Sequence, residues 1–140
     1  MLSIYPACFF KEENHYSVIF PDFNYLSTCG DSLQDAMEMA VDCLAGVLFS
    51  AKLDNEDIPI PSKLEEIDPT QIASELEFEF KQFFVTLVSV DVEEYAKTHF
   101  NKAIKKTLTI PEWLNKEAMS KKINFSQVLQ EALIAKLHSL

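Results

Sequence analysis

The sequence predicts an α+β protein: a small antiparallel sheet with one packed helix, followed by a C-terminal strand-helix-helix module. Three observations point there. Aromatic and β-branched residues cluster in short runs broken by polar or proline-containing segments. One long apolar stripe at helical spacing follows the first three runs. The charge changes sign near residue 104: residues 1–104 carry 19 acidic residues against 6 lysines, net −13, and residues 105–140 carry 6 lysines against 3 acidic residues, net +3.

The chain of 140 residues, 48% hydrophobic, is long enough for one ordinary domain or two small ones, and too apolar for disorder throughout. Its overall charge of −10 and lack of arginine argue against nucleic-acid binding by the chain as a whole. The segregation of charge reverses that expectation for the tail. Cys8, Cys29 and Cys43 form no C-x-x-C pair and have no histidine at zinc spacing, so neither a disulfide framework nor a structural zinc is expected. The longest uncharged stretch, Met1 to Phe10, is far short of the roughly 18 apolar residues that span a bilayer, and no signal peptide is recognised, so the expected location is cytoplasmic. No cofactor and no membrane partner are expected.

Ser3 to Phe10 and Tyr16 to Phe20 read as the strands of a hairpin around polar Lys11 to His15, with Pro21 and Asp22 ending the second strand. Tyr25 to Cys29 reads as a third extended piece before a turn at Gly30 and Asp31. From Leu33, apolar residues at 33, 36, 37, 40, 41, 44, 47 and 48 mark an amphipathic helix. Asp31 or Ser32 caps its start, with Gln34 or Asp35 closing a capping box. An acidic loop, Asp54 to Asp57, then Ile58-Pro59-Ile60-Pro61-Ser62 and a glutamate-rich stretch with a turn or two of helix lead to Phe83–Val90. That run is apolar without alternation, the pattern of a strand covered on both faces. The charged stretch 92–104 reads as a linker helix with Tyr95, Ala96 and Phe100 on its packed side, dividing residues 1–91 from residues 105–140.

In the tail, Lys105 to Ile110 alternates polar and apolar, with Lys105, Thr107 and Thr109 on one face. Pro111 opens a helix, and Asn124 caps a second one with Gln127 as its N3 partner and Val128, Leu129, Ala132, Leu133 and Leu137 as its buried stripe. One strand and two short helices cannot close a core alone, so this unit needs a second copy.

Strand, proline, helix, polar cap and helix in this order resemble the ribbon-helix-helix module. The resemblance implies a homodimer, paired through the C-terminal ribbon and open to higher assembly, that places the ribbon in the DNA major groove. Lys105, Thr107 and Thr109 then read base edges, while the amides around Phe125 and Ser126, behind the Asn124 cap, hold a phosphate. Further upstream, Tyr5-Pro6-Ala7, Tyr16-Ser17-Val18 with Phe20-Pro21-Asp22-Phe23, Gly30-Asp31-Ser32 before the helix, and Ile60-Pro61-Ser62 resemble, as an ordered set, the HicB antitoxin family. The pattern departs at Asn24-Tyr25-Leu26, where a Gly-Cys arrangement is more typical. The resemblance implies a partial ribonuclease H-like domain that binds and masks a HicA-like ribonuclease toxin, joined to a tail that represses the shared operon at its operator DNA. An acidic domain suits a toxin whose RNA-binding face must be basic. For toxin contact the expected residues are Asp22, Phe23, Asn24 and Tyr25, as an exposed carboxylate with two aromatics; the competing reading places Phe23 in the core. An alternative function is a ribbon-helix-helix repressor that senses a small ligand and has no toxin. A nuclease built on Asp22, Asp31, Asp35 and Asp91 is disfavoured, since no defensible metal-binding spacing joins them, and His15, His99 and His138 read as structural or exposed. The expected protein is not an enzyme.

Overall fold

The computed structural model describes residues 1–100 and 103–140. The chain divides into two compact units, Met1–Lys102 and Ala103–Leu140.

In the first unit, strands β1 (Ser3–Lys11), β2 (Tyr16–Phe20), β3 (Leu26–Gly30) and β4 (Gln82–Val90) form one antiparallel sheet in the order β3-β2-β1-β4. The expected hairpin is present, with Cys8 opposite Ile19 and Lys11 opposite Tyr16. Side-chain alternation on β1 splits the core in two. Tyr5, Ala7 and Phe9, with Val18, Phe20, Val88 and Val90, face helix α1 (Leu33–Leu53). Cys8 and Phe10, with Ile19, face the other way and meet Ile72 and Ala73 of helix α2 (Pro69–Glu75), flanked by Ile67, Phe78 and Phe80. The sheet is therefore covered on both faces, not by a single helix. The glutamate-rich segment supplies the second cover because Ile67, Ile72, Ala73, Phe78 and Phe80 turn inward, while Leu64 and Leu76 stay exposed. Asp68 starts α2 by accepting from the Gln71 amide at 3.2 Å, and Pro69 occupies a first-turn position where no amide is needed.

α1 sits close to the sheet because its buried residues are mostly small: Ala36, Ala40, Leu44, Ala45 and Leu48. Its cap is Ser32, whose Oγ accepts from the Asp35 amide at 3.1 Å, while the Asp31 amide donates to the Asp35 carboxylate at 2.9 Å. Gly30 is where strand meets helix. A Cβ placed there would lie 2.4 Å from the Ala36 nitrogen and 2.7 Å from its Cα, both backbone atoms that have no side-chain freedom with which to yield.

Two expectations are corrected. β4 is an edge strand, with Phe83, Phe84 and Leu87 exposed, and not a strand buried on both faces. An uninterrupted apolar run has the same pattern in either setting, because the run itself does not say whether a neighbour lies on each side. The stretch expected as a linker helix does form one, α3 (Val92–His99), with Tyr95, Ala96 and Phe100 inward as expected, but it is packed on α1 inside the first unit and does not link two units. Asp91 caps it, Tyr95 Oη donates to Asp42 Oδ1 at 2.8 Å, and the Phe100 ring lies 5.4 Å from that of Phe49. Residues 101 and 102 of the expected linker lie outside the described residues.

In the second unit, helices α4 (Glu112–Ser120) and α5 (Phe125–His138) form where expected. Pro111 stands one position earlier than expected, at the cap of α4 with extended backbone, and Glu112 begins the helix. Asn124 Oδ1 accepts from the Gln127 amide at 3.1 Å, the expected cap of α5. The expected strand at 105–110 is not formed in the single chain: residues 103–111 are exposed and make no ladder, since a lone strand has no neighbour to receive its hydrogen bonds. None of the described residues of this unit is buried.

Replacing Gly30 with alanine is expected to lower stability by about 1–3 kcal/mol through overpacking, read as a drop in the urea midpoint. A second prediction concerns Tyr95, whose phenol is pushed up to about 12 by burial and by its bond to Asp42. The native protein holds a proton that the unfolded chain releases near its ordinary value of 10, so this contribution is complete below pH 10 and lost as the pH rises toward 12. Tyr95→Phe is expected to flatten that alkaline decline in stability measured by urea unfolding against pH; an unchanged slope contradicts it.

Candidate functional site

Asp22 and its neighbours lie on a 3-10 turn, Pro21–Phe23, between β2 and β3. Both oxygens of Asp22 are occupied: Oδ2 accepts from the Ser62 amide at 2.9 Å and Oδ1 from the Ser62 hydroxyl at 2.5 Å. Phe23 is packed against the α1-side core, its ring 4.7 Å from Tyr5 and 6.4 Å from Phe20. The expectation of an exposed carboxylate with two free aromatics is thus corrected for Asp22 and Phe23, because a turn that closes a strand must satisfy its polar groups and bury its large ring. Asn24 and Tyr25 do reach the surface. Both have left-handed backbone, with φ of 56° and 59°, a conformation that asparagine tolerates and tyrosine adopts at a cost on the order of 1–3 kcal/mol. This is where the chain departs from the Gly-containing pattern, and it delays β3 to Leu26. Tyr25 Oη donates to Glu75 Oε2 at 2.8 Å, which ties the turn to α2 and raises the tyrosine pKa.

A shallow groove opens beside this turn. Asp22, Phe23 and Asn24 form one wall, Val47 and Ala51 of α1 the floor, and Glu56, Asp57, Ile58 and Pro59 the other wall. A second groove on the far side of Ile58 is lined by Tyr5, Leu48, Ala51, Glu56 and Asp91 among others. The ridge between them is held by Tyr5 Oη, which donates to the Pro59 carbonyl at 2.6 Å. Burial of the Tyr5 phenol, with Asp22 beside it, raises its pKa and keeps it a donor. The arrangement is an acidic rim around a small apolar floor, suited to a cationic side chain with an apolar stem. Glu56 and Asp57 were not among the expected contact residues. Their acidity is visible in the sequence, but their approach to Asn24 depends on long-range bonds from Asp22 and Tyr5.

The second candidate surface is in the C-terminal unit. Lys105, Thr107 and Thr109 are exposed in the unpaired segment, and Phe125 and Ser126 are exposed at the start of α5 behind Asn124. Lys121 and Lys122, also exposed, precede that cap and add positive charge beside the first-turn amides of α5. They too are additional to the expected set, and their signal is the local lysine pair.

The remaining carboxylates weighed for catalysis, with His15 and His99, have structural partners, and His138 is exposed in the last turn of α5. Asp31 and Asp35 shape the start of α1, and Asp91 caps α3 and pairs with the N-terminal amine at 3.2 Å. His15 pairs with Glu12 at 2.8 Å, and His99 stacks on Tyr95 at 3.9 Å. Among the described residues, no group of three or more His, Cys, Asp or Glu is placed to hold a metal ion. Burial pushes the Cys8 thiol up to about 12. No helix among the described residues is long and apolar enough to cross a membrane.

A family model for the HicB-like antitoxin of bacterial toxin-antitoxin systems matches residues 5–136. An uncharacterized 14.9 kDa protein of Haemophilus phage HP1 is 30% identical over 109 residues, 77% of this chain and 73% of that protein. Antitoxin HicB 1 of Photorhabdus laumondii is 38% identical over 68 residues, 46% of this chain and 44% of that protein. A chain of a toxin-antitoxin complex from Streptococcus pneumoniae superposes with a TM-score of 0.62 at 32% identity, over 97% of this chain and 99% of that one.

If Asp22 is a structural clamp, Asp22→Ala is expected to cost about 1–3 kcal/mol, as for hydrogen bonds to a charged group. The double variant with Ser62→Ala should cost less than the two single changes summed, measured by urea unfolding. Strict additivity would show that the two side chains are not coupled.

Proposed function

The chain belongs to the HicB-like antitoxins of bacterial toxin-antitoxin systems, and we propose that it divides two tasks between its units in the cytoplasm. The N-terminal unit, read as a partial ribonuclease H-like domain, binds a small HicA-like ribonuclease toxin and covers its RNA-binding face. The C-terminal unit, residues 105–140, pairs with a second copy into a ribbon-helix-helix and represses the operon by binding operator DNA. Neither task is catalytic.

The observation that carries this reading is the partition of charge, net −13 before residue 105 and net +3 after it. A toxin that handles RNA needs a cationic face, and an acidic domain attracts that face at long range. Asn24 and Tyr25 with the Glu56 and Asp57 rim are the contact residues proposed. Asp22 and Phe23 act by holding that rim and turn in place. The DNA reading is supported by a tail most of whose large apolar residues, among them Leu108, Ile110, Trp113, Val128 and Leu133, are exposed in the single chain. Pairing of two tails would bury them, form the ladder through 105–110, and set Lys105, Thr107 and Thr109 on one ribbon face. Asn124, Phe125 and Ser126 would then present helix amides to a phosphate.

Co-expression with the adjacent reading frame followed by affinity capture tests the first task. A small basic protein is expected to co-purify, with affinity falling as salt rises; no such protein contradicts the reading. For the second task, the triple change of Lys105, Thr107 and Thr109 to alanine is expected to weaken specific operator binding by about 1–3 kcal/mol for each good base contact. Unchanged affinity in a DNA-binding titration removes the ribbon face from the account.

A further inference from the structure

Five non-glycine residues have left-handed backbone among the described residues: Asn24, Tyr25, Asn55, Glu77 and Lys122. Asn55, Glu77 and Lys122 each follow the cap residue of an α-helix, α1, α2 and α4, where that conformation is the ordinary way to close the last turn. The next amides complete the closure: Glu56 donates to the Ala51 carbonyl, Phe78 to Ala73 and Ile123 to Ala118. Asn24 is of a residue type that tolerates the conformation. Tyr25 has neither reason. It is bulky, closes no α-helix, and stands one residue before the first ladder pair of β3, Leu26 opposite Phe20. Strain of this kind persists only where the surroundings hold it, and it marks a side chain kept for something other than stability.

The hold on Tyr25 comes from α2, on the far side of a fifty-residue separation in the chain. Tyr25 Oη donates to Glu75 Oε2 at 2.8 Å. Glu75 is itself fixed, because its Oε1 accepts from Gln71 Nε2 at 3.0 Å, while the Gln71 amide donates to the Asp68 cap at 3.2 Å. Asp68, Gln71 and Glu75 thus form a chain of hydrogen bonds that ends on the tyrosine hydroxyl. We infer that Glu75 is a positioning residue for toxin capture, holding the Tyr25 ring, 37% exposed, as the seat of a basic side chain of the toxin. The inference rests on the toxin reading above and names the group that Tyr25 takes. A cation is attracted to the face of an aromatic ring, and the acidic surroundings favour the same charge. The bond to Glu75 also raises the Tyr25 pKa, so the phenol stays protonated and remains a donor. The glutamate-rich segment then has a binding role besides covering the sheet.

The test measures the affinity of the full chain for the small basic protein encoded by the adjacent reading frame. Glu75→Ala is expected to weaken capture about fivefold, the effect of one exposed hydrogen bond to a charged group. Glu75→Gln, which removes the charge and keeps an acceptor, is expected to stay within about twofold of the wild-type chain. Tyr25→Phe removes only the hydroxyl and is expected to match Glu75→Ala, with the double variant no weaker than either single change. Tyr25→Gly removes the ring and the strain together, so capture is expected to fall below that of Tyr25→Phe while the urea midpoint rises above it. In a chain whose one thiol is Cys8, made by Cys29→Ser and Cys43→Ser, the labelling rate of Cys8 reports whether α2 still covers the sheet. That rate is expected to be unchanged by Glu75→Ala, since Ile72 and Ala73 seat the helix. Equal weakening by Glu75→Ala and Glu75→Gln would show that Glu75 acts through its charge alone. Faster Cys8 labelling in step with lost capture would show that it acts by holding the cover. Either result overturns the inference, as does wild-type affinity in Glu75→Ala. If the wild-type chain captures no basic protein, the toxin reading fails and the inference falls with it; a captured protein whose affinity ignores Glu75 leaves that reading standing and ends the inference alone.

Discussion

The close approach of α1 to the sheet is the contact on which the first unit depends. Gly30 leaves no room for a side chain against the backbone of Ala36, and Ala36, Ala40 and Ala45 keep the helix low over Tyr5, Phe9, Val18 and Phe20. Close packing of this kind excludes water and makes each methyl group count. The Ser32 cap fixes where the helix begins, and with it the position of the loop that leaves its end. That loop returns across the sheet, and two hydrogen-bonded clamps, Tyr5 to Pro59 and Asp22 to Ser62, hold it there. The acidic rim is therefore a consequence of core packing transmitted through part-buried hydrogen bonds.

The second unit obeys the opposite constraint. Thirty-eight residues with two short helices bury nothing by themselves, and α5 carries apolar residues over too broad an arc for α4 alone to cover. Such a segment gains its hydrophobic stabilisation by association, so its structure and its oligomeric state are linked. This gives a physical reason for a DNA-binding role to require two copies even before any symmetry of the operator is considered. It also bears on the absence of arginine. With lysine as the only permanent cation, each subunit offers few strong phosphate or base contacts, and a paired unit doubles them.

Much of the local structure of both units was legible in the residues. The hairpin, the α1 stripe with its Ser32 cap, the strand-helix-strand order and the capped α5 follow from local periodicity and turn chemistry, which act over a few residues. What was not legible depends on contacts far apart in the chain. The apolar run of β4 looked like a buried strand because sequence shows side chains and not neighbours. Asp22 looked free because its partner is forty residues away. The glutamate-rich segment gave little sign of covering a sheet face, since only Ile67, Ile72, Ala73, Phe78 and Phe80 turn inward among many acids. In the tail the alternation at 105–110 was clear, yet a strand needs a second strand before it exists.

The division of labour between the two units is most directly tested by truncating the chain after residue 104 and measuring toxin neutralisation in a growth assay beside operator binding in a titration. The account predicts that the truncated chain still rescues growth and no longer binds operator DNA. Loss of both activities in a truncated chain that remains folded, or retention of operator binding, would contradict it.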